Sequence, residues 1–389
     1  MQTNNTSSPL HGGIRGGRYL ISGGGTGGHI FPAISIANAL KELDPNAEIL
    51  FVGALGRMEM ERVPQAGYRI VGLPVRGFNR AQPWKNFSVL VDLAKSIRQV
   101  KKIIRDFRPD VGVGVGGYAS GAAMWAAANM GIPILLQEQN GFAGVTNKIL
   151  KNKAAKICVA YEGMERFFPA DKLILTGNPV RQSLLNGKKH STAADAQQPQ
   201  ALNSRRRSLL IIGGSLGART INEAVAAGIT ALRNAGVHVV WQTGKTYYKK
   251  IIDQLSSSPL YGGTEGGLEV HDFLSDMPDQ YANADLVISR AGASSISELC
   301  LLGKPAILVP SPNVAEDHQT HNAMALVNKK AAVLVKDCEA AEKLIPTALE
   351  LIHDDQRLEA LHTNILRLAQ PDSAKRIAEE VIALAKTHL

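Results

Sequence analysis

Short apolar runs recur along the chain, each closed by glycines and followed by a stretch with helical spacing of apolar residues. Arg18-Tyr-Leu-Ile-Ser22 runs into Gly23-Gly-Gly-Thr-Gly-Gly28, and Ile34, Ala37 and Leu40 then mark a helix that starts near His29. Glu48–Val52, Val111–Val115, Pro133–Leu136 and Ala155–Val159 read as further strands. A strand buried on both faces loses the alternation of a half-exposed one. Unbroken runs alternating with helices therefore predict a doubly wound, largely parallel α/β sheet.

The pattern stops across residues 186–207, a stretch rich in Ser, Gln, Ala, Lys and Arg without apolar periodicity, which predicts a linker. It then restarts. Ser208–Ile212 leads into Gly213-Gly-Ser-Leu-Gly217 and a helix from Ala218, and Val237–Trp241, Leu286–Ser289 and Ala306–Val309 supply more strands. Each half opens with strand, glycine loop and helix, so the expectation is two Rossmann-like domains, residues 18–185 and 208–370, with ligands in the cleft between them. The final segment, 371–389, carries Ile377, Val381, Ile382 and Leu384 on one side of a helix. It either closes the second domain or crosses back onto the first.

Composition narrows the class. The chain has 389 residues, 45% hydrophobic and 20% charged, which excludes wholesale disorder and suits two domains. Cys158, Cys300 and Cys338 lack paired spacing, which argues against a disulfide framework or a cysteine zinc site and for a reducing compartment. The longest apolar stretch, Gly121–Leu136, contains Asn129 and Pro133 and falls short of the roughly 20 residues of a spanning helix. Residues 1–18 are polar and hold no apolar signal region.

The glycine loop Gly23–Gly28 suits an anion, because backbone N–H groups and a helix N-terminus converge there; a tight turn without a ligand is the alternative. A dinucleotide site needs an acid at the end of the second strand, which here reads Phe51-Val-Gly-Ala54. A Walker loop needs Gly-Lys-Ser/Thr, and this one ends Gly28-His29. Both common nucleotide readings weaken. His29 at a helix N-terminus is biased toward neutral imidazole and base chemistry, or toward a local cap.

In the second half, Ser289-Arg-Ala-Gly-Ala-Ser-Ser-Ile-Ser-Glu298 places hydroxyls where a strand meets a helix. Glu298 there either accepts a ribose diol or is an ordinary first-turn acid. The strand in Gly303–Pro310 delivers Asp317, His318, Gln319 and His321 to the same sheet edge. No Asp-x-Asp pair occurs, which disfavours a metal-bridged sugar nucleotide, so neither a metal nor a cofactor is expected. A diphosphate would be neutralised by helix dipoles, backbone N–H groups and basic side chains such as Arg181.

Gly24–Pro32, Gly116-Gly-Tyr-Ala-Ser-Gly121, Glu138-Gln-Asn140 with Thr146-Asn-Lys148, Gly177-Asn-Pro-Val-Arg181, Gly213–Arg219 and Ser289–Glu298 occur in this order. Together they resemble the MurG family of N-acetylglucosaminyltransferases, from about Arg18 to the C-terminus. The resemblance implies a GT-B fold and an inverting, metal-independent transfer of N-acetylglucosamine from UDP-GlcNAc to the C4 hydroxyl of MurNAc in undecaprenyl-diphosphate-MurNAc-pentapeptide, lipid I. It implies His29 as the base. It also implies donor contacts at Thr26, Gly27, Gly28, Asn140, Arg181, Ser215, Leu274, Ala293, Ser294, Ser295, Ile296, Ser297, Glu298 and Gln319. Ser215 would meet the phosphates, Glu298 the ribose, and Leu274 the uracil through its backbone. Three positions depart from the family pattern: Gln137 replaces a His, Thr320 a Gln, and Leu216 a Gln.

The net charge of +9 is unevenly placed. Nine basic residues between Arg76 and Arg108 face only Asp92 and Asp106. Trp84, Phe87 and Leu90 precede Lys101, Lys102 and Arg105 on an amphipathic segment, which suits an anionic membrane surface better than nucleic acid, since no nucleic-acid module accompanies it. A solvated basic helix is the plain alternative. With a lipid-linked acceptor, the expected location is the cytoplasmic face of the inner membrane, peripherally bound, with partners among cell-wall synthesis or division proteins. A transferase with another acceptor and an inactive sugar-nucleotide binder are the competing functions.

Overall fold

A computed structural model describes residues 15–75, 86–180, 206–214, 216–256 and 267–388. Arg181, Ser215, Trp84 and most of the expected linker lie outside these residues, as does the side chain of Phe87.

The first domain is a parallel sheet of β1 (Arg18–Gly23), β2 (Glu48–Ala54), β3 (Arg69–Leu73), β4 (Val111–Gly116), β5 (Ile134–Glu138), β6 (Lys156–Val159) and β7 (Leu173–Leu175), in the order β3-β2-β1-β4-β5-β6-β7. Its helices are α1 (Gly27–Leu43), α2 (Glu59–Gln65), α3 (Asn86–Phe107), α4 (Tyr118–Asn129) and α5 (Val145–Leu150). The second sheet orders β8 (Ser208–Ile212), β9 (His238–Gln242), β10 (Leu268–His271), β11 (Leu286–Ser289), β12 (Ala306–Leu308) and β13 (Val333–Leu334) as β10-β9-β8-β11-β12-β13. It carries α6 (Arg219–Asn234), α7 (Lys245–Ser256), α8 (Met277–Asn283), α9 (Ala293–Leu302), α10 (His318–Val327), α11 (Ala340–Ile352) and α12 (Asp355–Leu366). The last helix is α13 (Ser373–His388).

The strand sequence decides how the layers stack. In β4, Val111, Val113 and Val115 join the core under α1, which also takes Tyr19 and Ile21. Gly112 and Gly114 face α4 instead, where an added Cβ would lie 3.1 Å from Met124 Sδ and 2.7 Å from Met124 Cγ respectively. The alanines of α4, buried at 119, 122, 123, 126 and 127, let that helix lie close on the strand. The apolar stretch that ends at Leu136 is thus a buried helix followed by a central strand. Among the described residues no helix is long and apolar enough to cross a membrane.

Helix α13 belongs spatially to the first domain. Ile377, Ala378, Val381 and Ala385 enter the same core as Ile36, Ala37 and Leu40 of α1. Arg376 donates to the carbonyls of Leu175 at 2.7 Å and Thr176 at 3.5 Å, fastening the crossing.

Candidate active site

In both sheets the strand order reverses beside the first strand, between β1 and β4 and between β8 and β11. Loops leaving the carboxyl ends of such neighbours diverge and open a crevice. The two glycine loops sit there.

On the first domain, Thr26 takes the N-cap backbone conformation of α1, and its carbonyl accepts the His29 N–H at 3.1 Å. The His29 ring folds back onto the loop, with Nδ1 3.1 Å from the Gly24 carbonyl and 3.4 Å from Thr26 Oγ1. A carbonyl only accepts, so Nδ1 carries the hydrogen and Nε2 keeps the lone pair. Gly116 permits this position, since a Cβ there would lie 2.9 Å from Nε2. Burial lowers the His29 pKa below its ordinary value; Glu138, the Gly24 carbonyl and Glu59 oppose that, while His318 adds to it. Because His318 opens α10 of the second domain, the two switch points face each other.

Glu138, buried at the end of β5, organises the neighbouring loop. Its Oε2 accepts from Gly144 N and Asn147 Nδ2, both at 2.9 Å, and its Oε1 from Asn140 N at 3.2 Å. Gln137, one of the three departures from the expected family pattern, accepts from Gln139 and donates to Asn178 Oδ1 at 3.5 Å.

On the second domain, a cleft of about 800 Å³ lies over the β8 and β11 loops. Of the expected donor residues it brings together Ser295 and Gln319, with Arg219, Thr220 and Arg290 around them. Gly217 has a φ of +83°, and a Cβ on it would lie 2.1 Å from the Thr243 carbonyl, so the turn requires glycine. Gln319 Oε1 accepts the Ser311 N–H at 2.9 Å, and Thr320 Oγ1 donates to Asp317 Oδ1 at 2.7 Å. Leu216 is 75% exposed. The Leu274 N–H donates to Gln242 Oε1 at 2.9 Å while Gln242 Nε2 donates to the Gly214 carbonyl at 3.1 Å, so one side chain ties the two loops.

The run Ala293–Glu298 divides between environments. Ile296 and Ser297 line a separate cavity of about 330 Å³, and Ser297 Oγ bonds back to the Ala293 carbonyl at 2.9 Å. Among the described residues Ser294 Oγ is buried without a partner. Glu298 is only 5% exposed and accepts from Tyr281 OH at 3.2 Å.

Sequence reasoning missed four residues of this region: Glu59, Gln242, Arg290 and Asn322. Arg290 donates to the carbonyls of Val309 at 3.1 Å and Pro310 at 3.2 Å and pairs with Asp337, which also accepts from Thr220 Oγ1 at 3.0 Å. Asn322 bonds across to Asn140 and Gly141. Ser289-Arg290 inside a quoted motif was the only available signal for any of them. Near the cleft, Glu316 and Asp317 hold φ of 56° and 50°, unusual for non-glycine residues, at the entry to α10.

The basic residues of α3 form a stripe. Lys95, Arg98, Lys102 and Arg105 are exposed, whereas Val100 and Ile104 are buried beneath them and Lys101 is half-buried.

Two parallel-sheet domains whose loops meet across a cleft make a GT-B fold. The N-terminal domain model of glycosyltransferase family 28 matches residues 19–159, and its C-terminal domain model matches residues 208–379. The chain belongs to glycosyltransferase family 28 and, within it, to the MurG family. It is 59% identical over 370 residues (95% of this chain, 96% of the other) to a Bacteroides fragilis protein named UDP-N-acetylglucosamine--N-acetylmuramyl-(pentapeptide) pyrophosphoryl-undecaprenol N-acetylglucosamine transferase. A Porphyromonas gingivalis protein of the same name is 51% identical, with 95% of this chain and 96% of that one covered. Among solved structures, Acinetobacter baumannii MurG shares the fold with a TM-score of 0.75 at 24% identity, covering 94% of this chain and 99% of that one. UDP-GlcNAc 2-epimerase from Neisseria meningitidis shares it at 0.64 and 17% identity, covering 94% and 100%.

Proposed function

We propose that this enzyme transfers N-acetylglucosamine from UDP-GlcNAc to the C4 hydroxyl of MurNAc in undecaprenyl-diphosphate-MurNAc-pentapeptide, converting lipid I to lipid II in peptidoglycan synthesis. The names of the relatives supply the substrates. The observation that carries the chemistry is the His29 imidazole, held by Nδ1 on the Gly24 carbonyl with Nε2 left to accept a proton.

In this mechanism Nε2 takes the proton of the C4 hydroxyl as its oxygen attacks C1 of the donor sugar. The C1–O bond to the β-phosphate breaks, UDP leaves with the electron pair, and attack from the opposite face inverts the anomeric centre. The leaving diphosphate is stabilised without a metal by the start of α6 and the Arg219 side chain in the cleft. Ser295 and Gln319 hold the donor, and Arg181, Ser215 and Glu298 are donor contacts on the family resemblance alone, Glu298 at the ribose. Peripheral attachment of α3 to the anionic cytoplasmic face of the inner membrane brings the site to its lipid-linked acceptor.

Radiolabelled UDP-GlcNAc with a lipid I analogue tests the reading. Wild type forms labelled lipid II, and His29→Ala loses about 10²–10⁴-fold in kcat, the range for a general base. No transfer by wild type removes the function; full turnover by His29→Ala removes the base.

A further inference from the structure

The peptide unit joining Gly24 to Gly25 is held at both ends. Its carbonyl accepts from His29 Nδ1 at 3.1 Å, and its N–H donates to Glu59 Oε2 at 3.0 Å. Glu59 is the first residue of α2 and fully buried, and its Oε1 accepts the Ala54 N–H at 3.0 Å from the end of β2. Two glycines clear the slot it occupies. A Cβ on Gly24 would lie 2.2 Å from Glu59 Oε1, and one on Gly53 would lie 2.6 Å from its Cγ. Gly25, at φ +88°, sets the orientation of the peptide.

We propose that Glu59 is a positioning residue for the His29 base, acting through the Gly24–Gly25 peptide rather than by touching the imidazole. Among the described residues no cation pairs with Glu59, and burying an acidic side chain is costly, so a slot built for one beneath a glycine loop needs a reason. The hydrogen bond to Glu59 polarises the peptide and strengthens its carbonyl as an acceptor. That carbonyl selects the Nδ1–H tautomer and fixes the ring plane, which leaves Nε2 ready for the acceptor hydroxyl. A carboxylate performs the same service directly in Ser-His-Asp triads; here one peptide unit stands between them. Among the described residues three ionisable groups bear on the imidazole: Glu59 from α2, Glu138 from β5 and His318 from α10. Removing the Glu59 charge leaves burial and His318 less opposed, so the imidazole becomes harder to protonate.

This inference rests on His29 being the base, and a double-mutant cycle separates the two. Steady-state kinetics of wild type, Glu59→Gln, His29→Ala and the double variant are combined with an NMR titration of the His29 ring nitrogens. Glu59→Gln is expected to lose about 10–100-fold in kcat, the effect seen when an orienting partner is removed. Its KM for UDP-GlcNAc stays unchanged, and its His29 titration moves to lower pH. In the His29→Ala background the same substitution costs nothing more. Glu59→Asp keeps the charge but withdraws the oxygen by one methylene. It should lose kcat as well, with a smaller shift of the titration, and it serves as the test if the Gln variant fails to fold. Multiplicative losses in the double variant, or an unmoved His29 titration in a folded Glu59 variant, overturn the relay. Full activity of His29→Ala overturns the base assignment instead.

Discussion

Asn322 and Asn140 meet across the domain boundary. Asn322 Nδ2 donates to Asn140 Oδ1 at 3.2 Å, and Asn322 Oδ1 accepts the buried Gly141 N–H at 2.8 Å. Asn322 is fully buried on α10, the helix that carries Gln319, and Asn140 is also bonded to Glu138, which bears on His29. The donor helix and the base are therefore linked through two amides. Truncation by Asn322→Ala strands the Gly141 N–H in the interior, a loss of about 1–3 kcal/mol. Thermal unfolding should shift down, and kcat/KM for UDP-GlcNAc should fall with it. A variant with wild-type values of both would show that the bridge couples nothing.

The pH dependence of the reaction follows from the burial of His29. A general base works only when neutral, so activity disappears as pH falls through the pKa of the folded enzyme. Burial lowers that pKa from the ordinary 6.5, and the opposing carboxylates do not reverse the direction. The acid limb of kcat/KM should therefore have its midpoint below 6.5. A pH–rate profile with a soluble lipid I analogue measures it. A midpoint at or above the ordinary value would contradict the burial argument, and the limb should vanish in His29→Ala.

The strands recognisable from sequence and those that were not differ in one physical respect. The central strands, β1, β2, β4, β5 and β6 in one sheet and β8, β9, β11 and β12 in the other, are unbroken apolar runs because neighbours and helices cover them on every side. Sequence reading placed each within about two residues. The strands it did not foresee, β3, β7, β10 and β13, are the four sheet edges. An edge strand is short, half-exposed and mixed in composition, and so lacks the pattern. The glycine loops were legible for a related reason, since close backbone approach leaves only glycine. Glu59 was not legible. It stands about thirty residues beyond its loop in a short helix beside Glu61 and Arg62, and only the folded chain distinguishes it. Asn322 is likewise an ordinary polar residue until the second domain is placed against the first.

The crossing of α13 makes a prediction about which domain it stabilises. Ile377 and Val381 are fully buried in the core of the first domain although the helix follows the second in sequence. Ile377→Ala removes three carbons from a close-packed site, a loss of about 2–5 kcal/mol. Hydrogen exchange should show reduced protection in β1 and α1, with β8 and α6 unaffected. Loss of protection confined to the second sheet would mean that the helix serves its sequence neighbour.

The stripe on α3 refines the membrane prediction to the residues that can reach a surface. Lys95, Arg98, Lys102 and Arg105 are exposed on the side away from Val100 and Ile104, while Lys101 is half-buried. Each charge near an anionic bilayer contributes about 1 kcal/mol, so replacing Arg98, Lys102 and Arg105 together by Gln should weaken vesicle binding by roughly 100-fold at low salt. The wild-type affinity should itself fall as salt is raised, because the attraction is screened within a Debye length. The same variant should keep its KM for UDP-GlcNAc with a water-soluble acceptor, since none of the three residues lines the donor cleft. Co-sedimentation with phosphatidylglycerol vesicles provides the measurement, with phosphatidylcholine vesicles as the neutral control. Equal binding of variant and wild type to the anionic vesicles would leave α3 as a solvated basic helix and move the membrane contact elsewhere on the chain.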